Sequence, residues 1–217
     1  MRIYKKMFGD IGGYLYQDKM TGPIPDYSSS YSKQRYDTYT TNDRMSELRF
    51  NLLTKVIKNF SSVTDFGYGN GAFLQHCVKN GKTTYGFDIS DYPTPVGSLK
   101  IDNVNDYEVD VVTFYDSLEH LPEMELVPFL RGLKTKYVCI SVPWYHEEQG
   151  NEWFMNWKHR RENEHLHHFD SHGLANLLNS SDYKVLYLGN CEDVVRTPVD
   201  GLPNILTVIA IKKNRNT

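Results

Sequence analysis

The sequence is poor in cysteine, and it has no run of the roughly 20 apolar residues that a membrane-spanning helix needs. Its cysteines, Cys77, Cys139 and Cys191, are widely spaced, which argues against a disulfide-rich secreted module. Two of them lie in apolar stretches, so we expect reduced, buried thiols in a cytoplasmic protein. The stretch MRIYKKMFGDIGGYLY has no continuous apolar segment, and we therefore expect neither a secretory leader nor a membrane partner.

A strong excess of charge is also missing. The 217 residues include Lys+Arg 24 and Asp+Glu 27, which gives a formal net charge of −3. Domains that bind nucleic acid usually have a clear basic excess, so a nucleic-acid partner is possible but not favoured. The hydrophobic fraction of 40% and the charged fraction of 24% are those of an ordinary globular protein. The length favours a single domain.

Residues 1–41 show no sustained periodicity. The stretch TGPIPDYSSSYSKQRYDTY combines proline, glycine and serine with several of the 16 tyrosines. This composition predicts irregular structure, but its aromatic content disfavours full disorder. We therefore predict a Tyr-rich N-terminal arm that lies along the rest of the protein or covers a pocket.

Residues 42–217 are predicted to form one α/β domain. NDRMSELRFNLLTKVIKNF has apolar residues at the three- and four-residue steps of an amphipathic helix. After it, β-like runs alternate with helix-like segments, which predicts a doubly wound, mainly parallel sheet. The last two β-like runs leave no room for a helix between them, so the last strand should be antiparallel. The β-like runs are SVTDFG, TTYGFDIS, SLKIDNV, DVVTFYD, KYVCISVPW, YKVLYLG and ILTVIAIKK, and the helix-like segments are GAFLQHCVKNG, PEMELVPFLRGL and SHGLANLLNSS.

The segment DFGYGNGAF joins the first β-like run to the next helix. Gly67, Gly69 and Gly71 allow positive φ and close approach of the backbone to a ligand, and the helix start offers free N–H groups. The second β-like run ends at Asp88, whose carboxylate can accept hydrogen bonds from a ribose. Together these features indicate a nucleoside-containing cofactor, and the alternative is a tight turn without a ligand.

The identity of the cofactor depends on Asp65. Gly67, Gly69 and Ala72 also fit the dinucleotide pattern G-x-G-x-x-A. Asp65, however, stands two residues before the first glycine, and its charge would repel a pyrophosphate. The ammonium and sulfonium groups of S-adenosylmethionine would instead be attracted, so we favour this cofactor over NAD.

Several segments in order resemble the motifs of the class I S-adenosylmethionine-dependent methyltransferases, of the type 11, 12 and 23 kind. The matching segments are VTDFGYGNGAFL, YGFDIS, IDNV, DVVTFYDSLEHLPE and YVCISVPW. The likeness covers about Ser46 to Lys212. It implies a Rossmann-like seven-stranded sheet of order 3-2-1-4-5-7-6, with strand 7 antiparallel and helices on both faces.

The resemblance also implies which residues bind the cofactor. Asp65 and the loop Gly67–Gly71 should hold the methionine part, and Tyr115 and Asp116 should line the reactive end. Tyr68 departs from the family, which more often has Cys or Ser there, but its backbone role should remain. On the nucleoside side, Asp88 should bind the ribose, Ile89 should pack on the adenine, and Asp102 with Asn103 should approach the adenine amino group. The full implied set is Asp65, Gly67, Tyr68, Gly69, Asn70, Gly71, Asp88, Ile89, Asp102, Asn103, Tyr115 and Asp116.

The segment DSLEHLPE follows the fourth β-like run and contains candidates for catalysis. Asp116, Glu119 and His120 lie within one helical turn, so a short helical start would bring them to one side. Three interpretations are open. Glu119 and His120 can anchor the loop by hydrogen bonds, or His120 can act as a base. The third is a divalent ion on all three residues, as in some quinone-biosynthesis O-methyltransferases. We assign Glu119 and His120 as catalytic candidates and assign no metal ligand.

An insertion near residues 143–170 should form the acceptor side. It contains all three tryptophans, interleaved with His, Lys and Arg residues, which suits a planar or phosphorylated acceptor. Alternatively, these aromatics pack over the core. Its end, NEHLHHFD, has no cysteine and alternating histidines, which disfavours zinc. We predict that His165 and His168 face the pocket and that Asp170 or Ser171 caps the next helix.

These patterns favour a methyltransferase that acts on oxygen or carbon of a small-molecule acceptor, such as a sugar, a sugar-nucleotide or a phenolic compound. A nucleic-acid or nucleotide methyltransferase is the first alternative. It is disfavoured because DSLE stands where amino-group methyltransferases of bases usually have N/D-P-P-Y/F. The second alternative is a methyltransferase fold recruited as a structural or interaction module.

Overall fold

The computed structural model describes residues 3–7, 13–27, 43–121, 126–198 and 201–214. The strands in these ranges are β1 (Tyr4–Met7), β2 (Tyr14–Gln17), β3 (Ser62–Phe66), β4 (Thr83–Phe87), β5 (Ser98–Lys100), β6 (Val109–Tyr115), β7 (Thr135–Pro143), β8 (His167–His168), β9 (Tyr183–Gly189) and β10 (Ile205–Lys212). The α-helices are α1 (Asp43–Ile57), α2 (Ala72–Lys79), α3 (Leu126–Gly132), α4 (Gly150–Asn156) and α5 (Ser171–Ser180). No helix in the described part of the chain is long and apolar enough to cross a membrane.

Seven strands form the main sheet, in the order β5-β4-β3-β6-β7-β10-β9. The pairs β3–β4, β3–β6, β4–β5 and β6–β7 are parallel, whereas β10 is antiparallel to both β7 and β9. The predicted fold class, with its 3-2-1-4-5-7-6 order and antiparallel last strand, is therefore confirmed. β10 reverses because the described part of the connection after β9 has a 3-10 turn, Cys191–Val194, but no crossover helix.

The core lies on both faces of the sheet. Neighbouring strand residues point to opposite faces, and Val111 and Val112 of β6 are both buried, in different hydrophobic clusters. The Val111 cluster includes Leu53 of α1, while the Val112 cluster includes Leu130 of α3 and Leu177 of α5. This double burial explains why the central strand has a continuous apolar run rather than alternation.

Several local predictions can be compared with the helices. Helix α1 has the predicted position, and the Asp170 side chain caps α5 by accepting a hydrogen bond from the N–H of Gly173 at 2.6 Å. Helix α3 begins at Leu126, and the predicted start at Pro122 lies outside the described residues. Pro128 falls in the first turn of α3, where its missing N–H removes no helical hydrogen bond.

The N-terminal segment is more regular than predicted. β1 and β2 form an antiparallel hairpin, and β2 also pairs with β8, so that Leu15 lies opposite His168. Residues 4–7 and 14–17, in which the sequence shows no sustained periodicity, thus form strands. Residues 28–41 lie outside the described ranges. A side-chain hydrogen bond also connects β2 to the insertion, since Gln17 Nε2 donates to Asn163 Oδ1 at 2.8 Å.

Candidate active site

A cavity of about 1090 Å³ opens at the carboxyl ends of β3, β4 and β6. At this edge β4 lies on one side of β3 and β6 on the other, which is where open α/β sheets bind ligands. The volume is slightly above the usual range for one ligand, about 300–1,000 Å³, so two small molecules fit side by side. The predicted cofactor residues that line it are Asp65, Gly67, Tyr68, Gly69, Asn70, Asp88, Ile89, Asp102, Asn103, Tyr115 and Asp116, and Gly71 is the one that does not.

The glycine loop after β3 is closely packed against its neighbours. Gly67 and Gly71 have φ of +77° and +73°, a region that side chains with a Cβ rarely adopt. A Cβ on Gly67 would lie 2.7 Å from Cβ of Ser117, and one on Gly71 would lie 2.6 Å from the ring of Pro95. The loop therefore needs glycine for close backbone approach as well as for its conformation.

Asp65 lies near the end of β3 and faces the cavity, with only 3% of its surface exposed. Thr113 Oγ1 donates a hydrogen bond to Asp65 Oδ1 at 2.6 Å. Burial raises the pKa of Asp65 to about 6, although the Thr113 hydrogen bond and the charge of Arg49 oppose this. A cationic ligand group placed beside this carboxylate would favour its charged form.

Asp88 connects the loops that follow β3 and β4. One carboxylate oxygen accepts from the N–H of Gly69 at 3.0 Å, and the other accepts from the N–H of Ser90 at 2.8 Å. Each carboxylate oxygen has two lone pairs, so both can still accept from a ligand. The next residue, Ile89, has 71% of its surface exposed on the cavity wall. Such an exposed apolar side chain is suited to packing on a flat ligand ring.

Tyr68, the departure from the family pattern, fastens the glycine loop. Its hydroxyl donates a hydrogen bond to the carbonyl of Tyr92 in the segment after β4. Its ring lies so close to β4 that a Cβ on Gly86 would be 2.7 Å from Tyr68 Cδ1. The Tyr68 side chain thus packs against β4 and connects the glycine loop to the segment that follows β4.

Asp116, directly after β6, is held by two arginines. Arg196 Nη1 donates to Asp116 Oδ1 at 2.8 Å and its Nη2 donates to Oδ2, while Arg49 Nη2 is 3.8 Å from Oδ2. Desolvation by the surrounding protein works against ionisation, but Arg196 and then Arg49 outweigh it and hold the pKa of Asp116 well below its usual range. The carboxylate is therefore ionised and already paired.

Arg49 is itself held by a second carboxylate, that of Glu192. Its Nε and Nη2 donate to the two carboxylate oxygens of Glu192 at 2.7 and 3.0 Å, and Glu192 is completely buried. The Arg49 guanidinium carbon also lies 3.9 Å from the centre of the Tyr115 ring. Helix α1, the end of β6 and the turn after β9 are thus joined at the cavity wall.

Glu119, His120 and His165 come together at the cavity wall, which His120 and His165 line. One possible ligand atom from each lies within 4.8 Å of the others. His120 Nδ1 is 3.2 Å from the hydroxyl of Tyr27, and the His120 and His165 ring centres are 4.6 Å apart. Burial lowers the pKa of both histidines, that of His165 to about 2, so both rings are neutral at pH 7.

The Glu119 side chain is buried without a hydrogen-bond partner among the described residues. It is 1% exposed, and neither carboxylate oxygen has a hydrogen-bond partner among the described residues. Burial, with a contribution from Asp116, raises the pKa of Glu119 well above its usual range. The interpretation that its side chain anchors the loop by hydrogen bonds is therefore wrong, because only the main-chain carbonyl does so, accepting from the N–H of Leu166 at 2.8 Å.

The other histidines of NEHLHHFD have different surroundings. His167 Nε2 is hydrogen-bonded to the carbonyl of Leu121 at 3.0 Å. His168 is 2% exposed and packs among the rings of Tyr4, Phe154 and Trp157, away from the residues that line the cavity. The two point to opposite sides because they are adjacent in the extended strand β8. Of the pair predicted to face the pocket, only His165 does so, and we do not retain His168 as a catalytic candidate.

The tryptophans of the insertion pack with the N-terminal hairpin. Trp153 and Trp157 stack with ring centres 5.3 Å apart, and Tyr4 and Leu15 pack against the same cluster. None of the three tryptophans is among the residues that line the cavity. This arrangement favours the packing interpretation over stacking on an acceptor. The insertion contributes other side chains to the cavity, namely His159, Arg161, Glu164 and His165.

The comparison with protein families agrees with this geometry. A family model described as a methyltransferase domain matches residues 36–188, which is more than half of the chain. The chain belongs to the class I methyltransferase family. S-adenosylmethionine, the cofactor predicted from the sequence, is the methyl donor of this family. No curated protein sequence matches the chain.

Solved methyltransferase structures share the fold at low sequence identity. The 1,6-didemethyltoxoflavin-N1-methyltransferase of Burkholderia thailandensis, solved with 1,6-didemethyltoxoflavin and S-adenosylhomocysteine, is 12% identical, with a TM-score of 0.62 over 97% of this chain and 100% of that one. The magnesium protoporphyrin IX methyltransferase of Synechocystis PCC 6803, solved with S-adenosylhomocysteine, is 13% identical, with a TM-score of 0.59 over 88% and 90%. At these identities the likeness concerns the fold.

Some residues that form this site were not found from the sequence. Arg196 is 80 residues from Asp116, and nothing local to either residue connects them. Tyr27 comes from the N-terminal segment, where no periodicity marks its position. Arg49 carries a weak signal, since it is a charged residue on the otherwise apolar side of α1, next to Phe50 and Leu53.

Proposed function

We propose that the protein is an enzyme that transfers the methyl group of S-adenosylmethionine to an oxygen or carbon of a small molecule, such as a sugar, a sugar-nucleotide or a phenolic compound. One observation carries this proposal. A single cavity is lined by the glycine loop with Asp65 and Asp88 and also by His120 and His165, and the buried side chain of Glu119 lies beside these two histidines.

The chemistry of the cavity fits S-adenosylmethionine better than a dinucleotide. Three carboxylates, Asp65, Asp88 and Asp102, line the part around the glycine loop. A pyrophosphate would be repelled there, whereas an ammonium group and ribose hydroxyls find acceptors. Asp65 would hold the ammonium, Asp88 the ribose, and the exposed side chain of Ile89 would pack on the adenine. Asp102 and Asn103 would reach the adenine edge.

The protein must then align the acceptor with the methyl group and promote removal of the acceptor's hydroxyl proton. Bound in the cavity, S-adenosylmethionine supplies a methyl group already activated by its sulfonium. The acceptor oxygen loses its proton and gains the methyl group as the sulfur–methyl bond breaks. Tyr115 and the arginine-bound Asp116 form the wall where the two ligands would meet. We propose that the Glu119–His120–His165 cluster receives the acceptor hydroxyl and promotes loss of its proton.

The walls of the acceptor end support a small acceptor. Ile24 and Tyr27 of the N-terminal segment line the cavity together with Arg161 and His165 of the insertion, and the Tyr27 hydroxyl lies 3.2 Å from His120 Nδ1. This agrees with a pocket-covering role for the N-terminal segment. Two methyltransferases of similar fold are a 1,6-didemethyltoxoflavin-N1-methyltransferase and a magnesium protoporphyrin IX methyltransferase, and both of these named acceptors are small molecules. A groove for nucleic acid would instead need an extended basic surface.

The acceptor class can be tested with a labelled methyl donor. The protein is incubated with methyl-labelled S-adenosylmethionine and a cell extract separated into small molecules, protein and nucleic acid. We expect label in the small-molecule fraction. Label in nucleic acid would favour the first alternative. Absence of transfer to every fraction, despite binding of S-adenosylhomocysteine, would favour the structural or interaction module.

The two ends of the cofactor site can be separated with a pair of ligands. S-adenosylhomocysteine has the amino-acid part, and methylthioadenosine lacks it but keeps the ribose and adenine. By calorimetry, Asp88→Ala should weaken the binding of both ligands about tenfold or more, because hydrogen bonds to the ribose are lost. Asp65→Asn should weaken the binding of S-adenosylhomocysteine and leave the affinity for methylthioadenosine unchanged. Equal effects of both variants on both ligands would contradict the assigned roles, and Asp18→Ala, on the surface, is the control.

The pKa of Asp65 makes cofactor binding depend on pH. The value of about 6 means that the free carboxyl becomes protonated, and so neutral, as the pH falls through 6. The ammonium of the ligand then loses its partner, and affinity for S-adenosylhomocysteine should fall about tenfold between pH 7 and pH 5. Asp65→Asn should bind weakly with a flat profile. A wild-type profile that is equally flat would show that Asp65 does not face the ammonium.

A further inference from the structure

We propose that Glu119, His120 and His165 bind a divalent transition-metal ion at the acceptor end of the cavity. The three side chains present one carboxylate and two imidazoles, with ligand atoms within 4.8 Å of one another. Two histidines and one carboxylate are a common ligand set for Zn²⁺ and for Fe²⁺ or Mn²⁺. The ion binding stands on these residues alone, while its catalytic purpose rests on the proposed methyl transfer.

The Glu119 carboxylate is the strongest reason for the ion. It is 1% exposed, and both of its oxygens lack hydrogen-bond partners among the residues described. Buried polar groups in native proteins nearly always have a partner, and a buried carboxylate without one is strongly unfavourable. Its closest basic group is His120, whose Nε2 is 4.0 Å from Glu119 Oε1. His165 Nδ1 is also buried without a partner. One cation between the three residues would satisfy these atoms together.

The ligands are held in place by the surrounding main chain. Glu119 and His120 lie in the 3-10 turn Leu118–His120, and His165 lies in the insertion. Two hydrogen bonds join these segments on the C-terminal side of His165, from Leu166 N–H to the Glu119 carbonyl at 2.8 Å and between His167 Nε2 and the Leu121 carbonyl at 3.0 Å. The hydroxyl of Tyr27, 3.2 Å from His120 Nδ1, gives that ring an outer partner of the kind that orients metal-bound histidines.

Asp116 is not one of the ligands, which differs from the set considered from the sequence. Both of its oxygens accept hydrogen bonds from Arg196, and Arg49 lies 3.8 Å away. The bidentate ion pair with arginine already satisfies both oxygens of the Asp116 carboxylate, so this side chain does not need a metal ion as a partner. His165, far away in sequence, takes the third ligand position instead.

The ion would explain how a hydroxyl is activated in this cavity. His120 and His165 both line the cavity, so positions not taken by the protein are open to an acceptor. A hydroxyl oxygen bound to a divalent ion has a lowered pKa, and its proton passes to solvent before the oxygen gains the methyl group. The site therefore favours an acceptor with a hydroxyl that can bind a metal ion, and O-methylation rather than C-methylation.

Metal binding can be measured on tag-free protein. Elemental analysis after dialysis against Zn²⁺, Mn²⁺ or Fe²⁺, and titration with Co²⁺ followed by its visible absorption, should give one ion per chain. Glu119→Gln and His165→Ala should each weaken binding at least tenfold, and the double variant should lose it. Asp116→Asn removes a nearby negative charge but no ligand, so it should weaken metal binding clearly less than Glu119→Gln or His165→Ala does, which separates the two ligand sets.

Calorimetry with S-adenosylhomocysteine on the same samples separates the test of metal binding from the test of the proposed function. Variants that still bind this ligand are folded, so loss of the ion in them supports the site. Thermal stabilisation by Zn²⁺ in the wild type, absent in Glu119→Gln, is a second readout that needs no activity. Wild-type protein that binds S-adenosylhomocysteine but no ion at millimolar metal would overturn the inference and leave the proposed function standing. Undiminished ion binding in the double variant would also overturn it.

Discussion

Replacing Gly67 by alanine should cost the protein about 3 kcal/mol of stability and reduce its affinity for S-adenosylhomocysteine about a hundredfold. Two effects combine at this residue. An alanine at φ +77° is strained, by about 1 kcal/mol. Its Cβ would also lie 2.7 Å from Cβ of Ser117. That atom is attached directly to the main chain, so relief requires movement of the glycine loop or of the segment that contains Asp116. Urea unfolding and calorimetry measure the two effects.

Gly81 provides a matched control for the strain. It has φ +71°, but a Cβ there meets no atom within 4 Å. Gly81→Ala should therefore lose only about 1 kcal/mol and keep its cofactor affinity. A second variant isolates the contact. In Gly67→Ala combined with Ser117→Gly, the nearest remaining atom is the Ser117 Cα position at 4.0 Å, so stability should return to the level of Gly81→Ala. If Gly67→Ala alone already behaves like Gly81→Ala, the close contact has no energetic effect.

The features predicted correctly from the sequence are those encoded by neighbouring residues. Gly67 and Asp88 are recognisable because each lies directly after a short buried strand, and a strand end followed by glycine has few physical explanations. The antiparallel β10 follows from the lack of a helix-sized segment before it. The strand order itself came from the family resemblance, because strand order depends on pairings between distant segments that no local pattern records.

The features that escaped prediction depend on contacts between distant segments. β1 and β2 lack clear alternation, and β2 is stabilised by pairing with the two-residue strand β8, about 150 positions away along the chain. The positions of His165 and His168 could not be distinguished from sequence, because both are histidines in one extended stretch. The pairing of β8 with β2 and the hydrogen bonds to the carbonyls of Glu119 and Leu121 position this stretch, with His168 in the aromatic cluster and His165 at the cavity.

The salt bridge between Arg49 and Glu192 is the last feature for which a large effect is expected. Glu192 has no exposed surface, and its two oxygens accept from Arg49 Nε and Nη2 at 2.7 and 3.0 Å. Glu192→Ala would leave the Arg49 guanidinium, whose side chain is 13% exposed, without its main partner. Removal of one member of a buried ion pair typically destabilises a protein by about 3–5 kcal/mol. We expect a loss of about 3 kcal/mol, because Asp116 still lies near Arg49.

The exposed pair Lys5–Asp18 serves as the comparison in the same urea experiments. Its side chains are 49% and 42% exposed, so Asp18→Ala should lose less than about 1 kcal/mol. Glu192→Gln keeps the shape of the side chain and one acceptor oxygen. Its loss of stability should lie between those of Asp18→Ala and Glu192→Ala. Because Arg49 and Arg196 together hold Asp116, Glu192→Ala should also weaken S-adenosylhomocysteine binding. Equal, small losses for Glu192→Ala and Asp18→Ala would mean that the buried pair does not support the cavity wall.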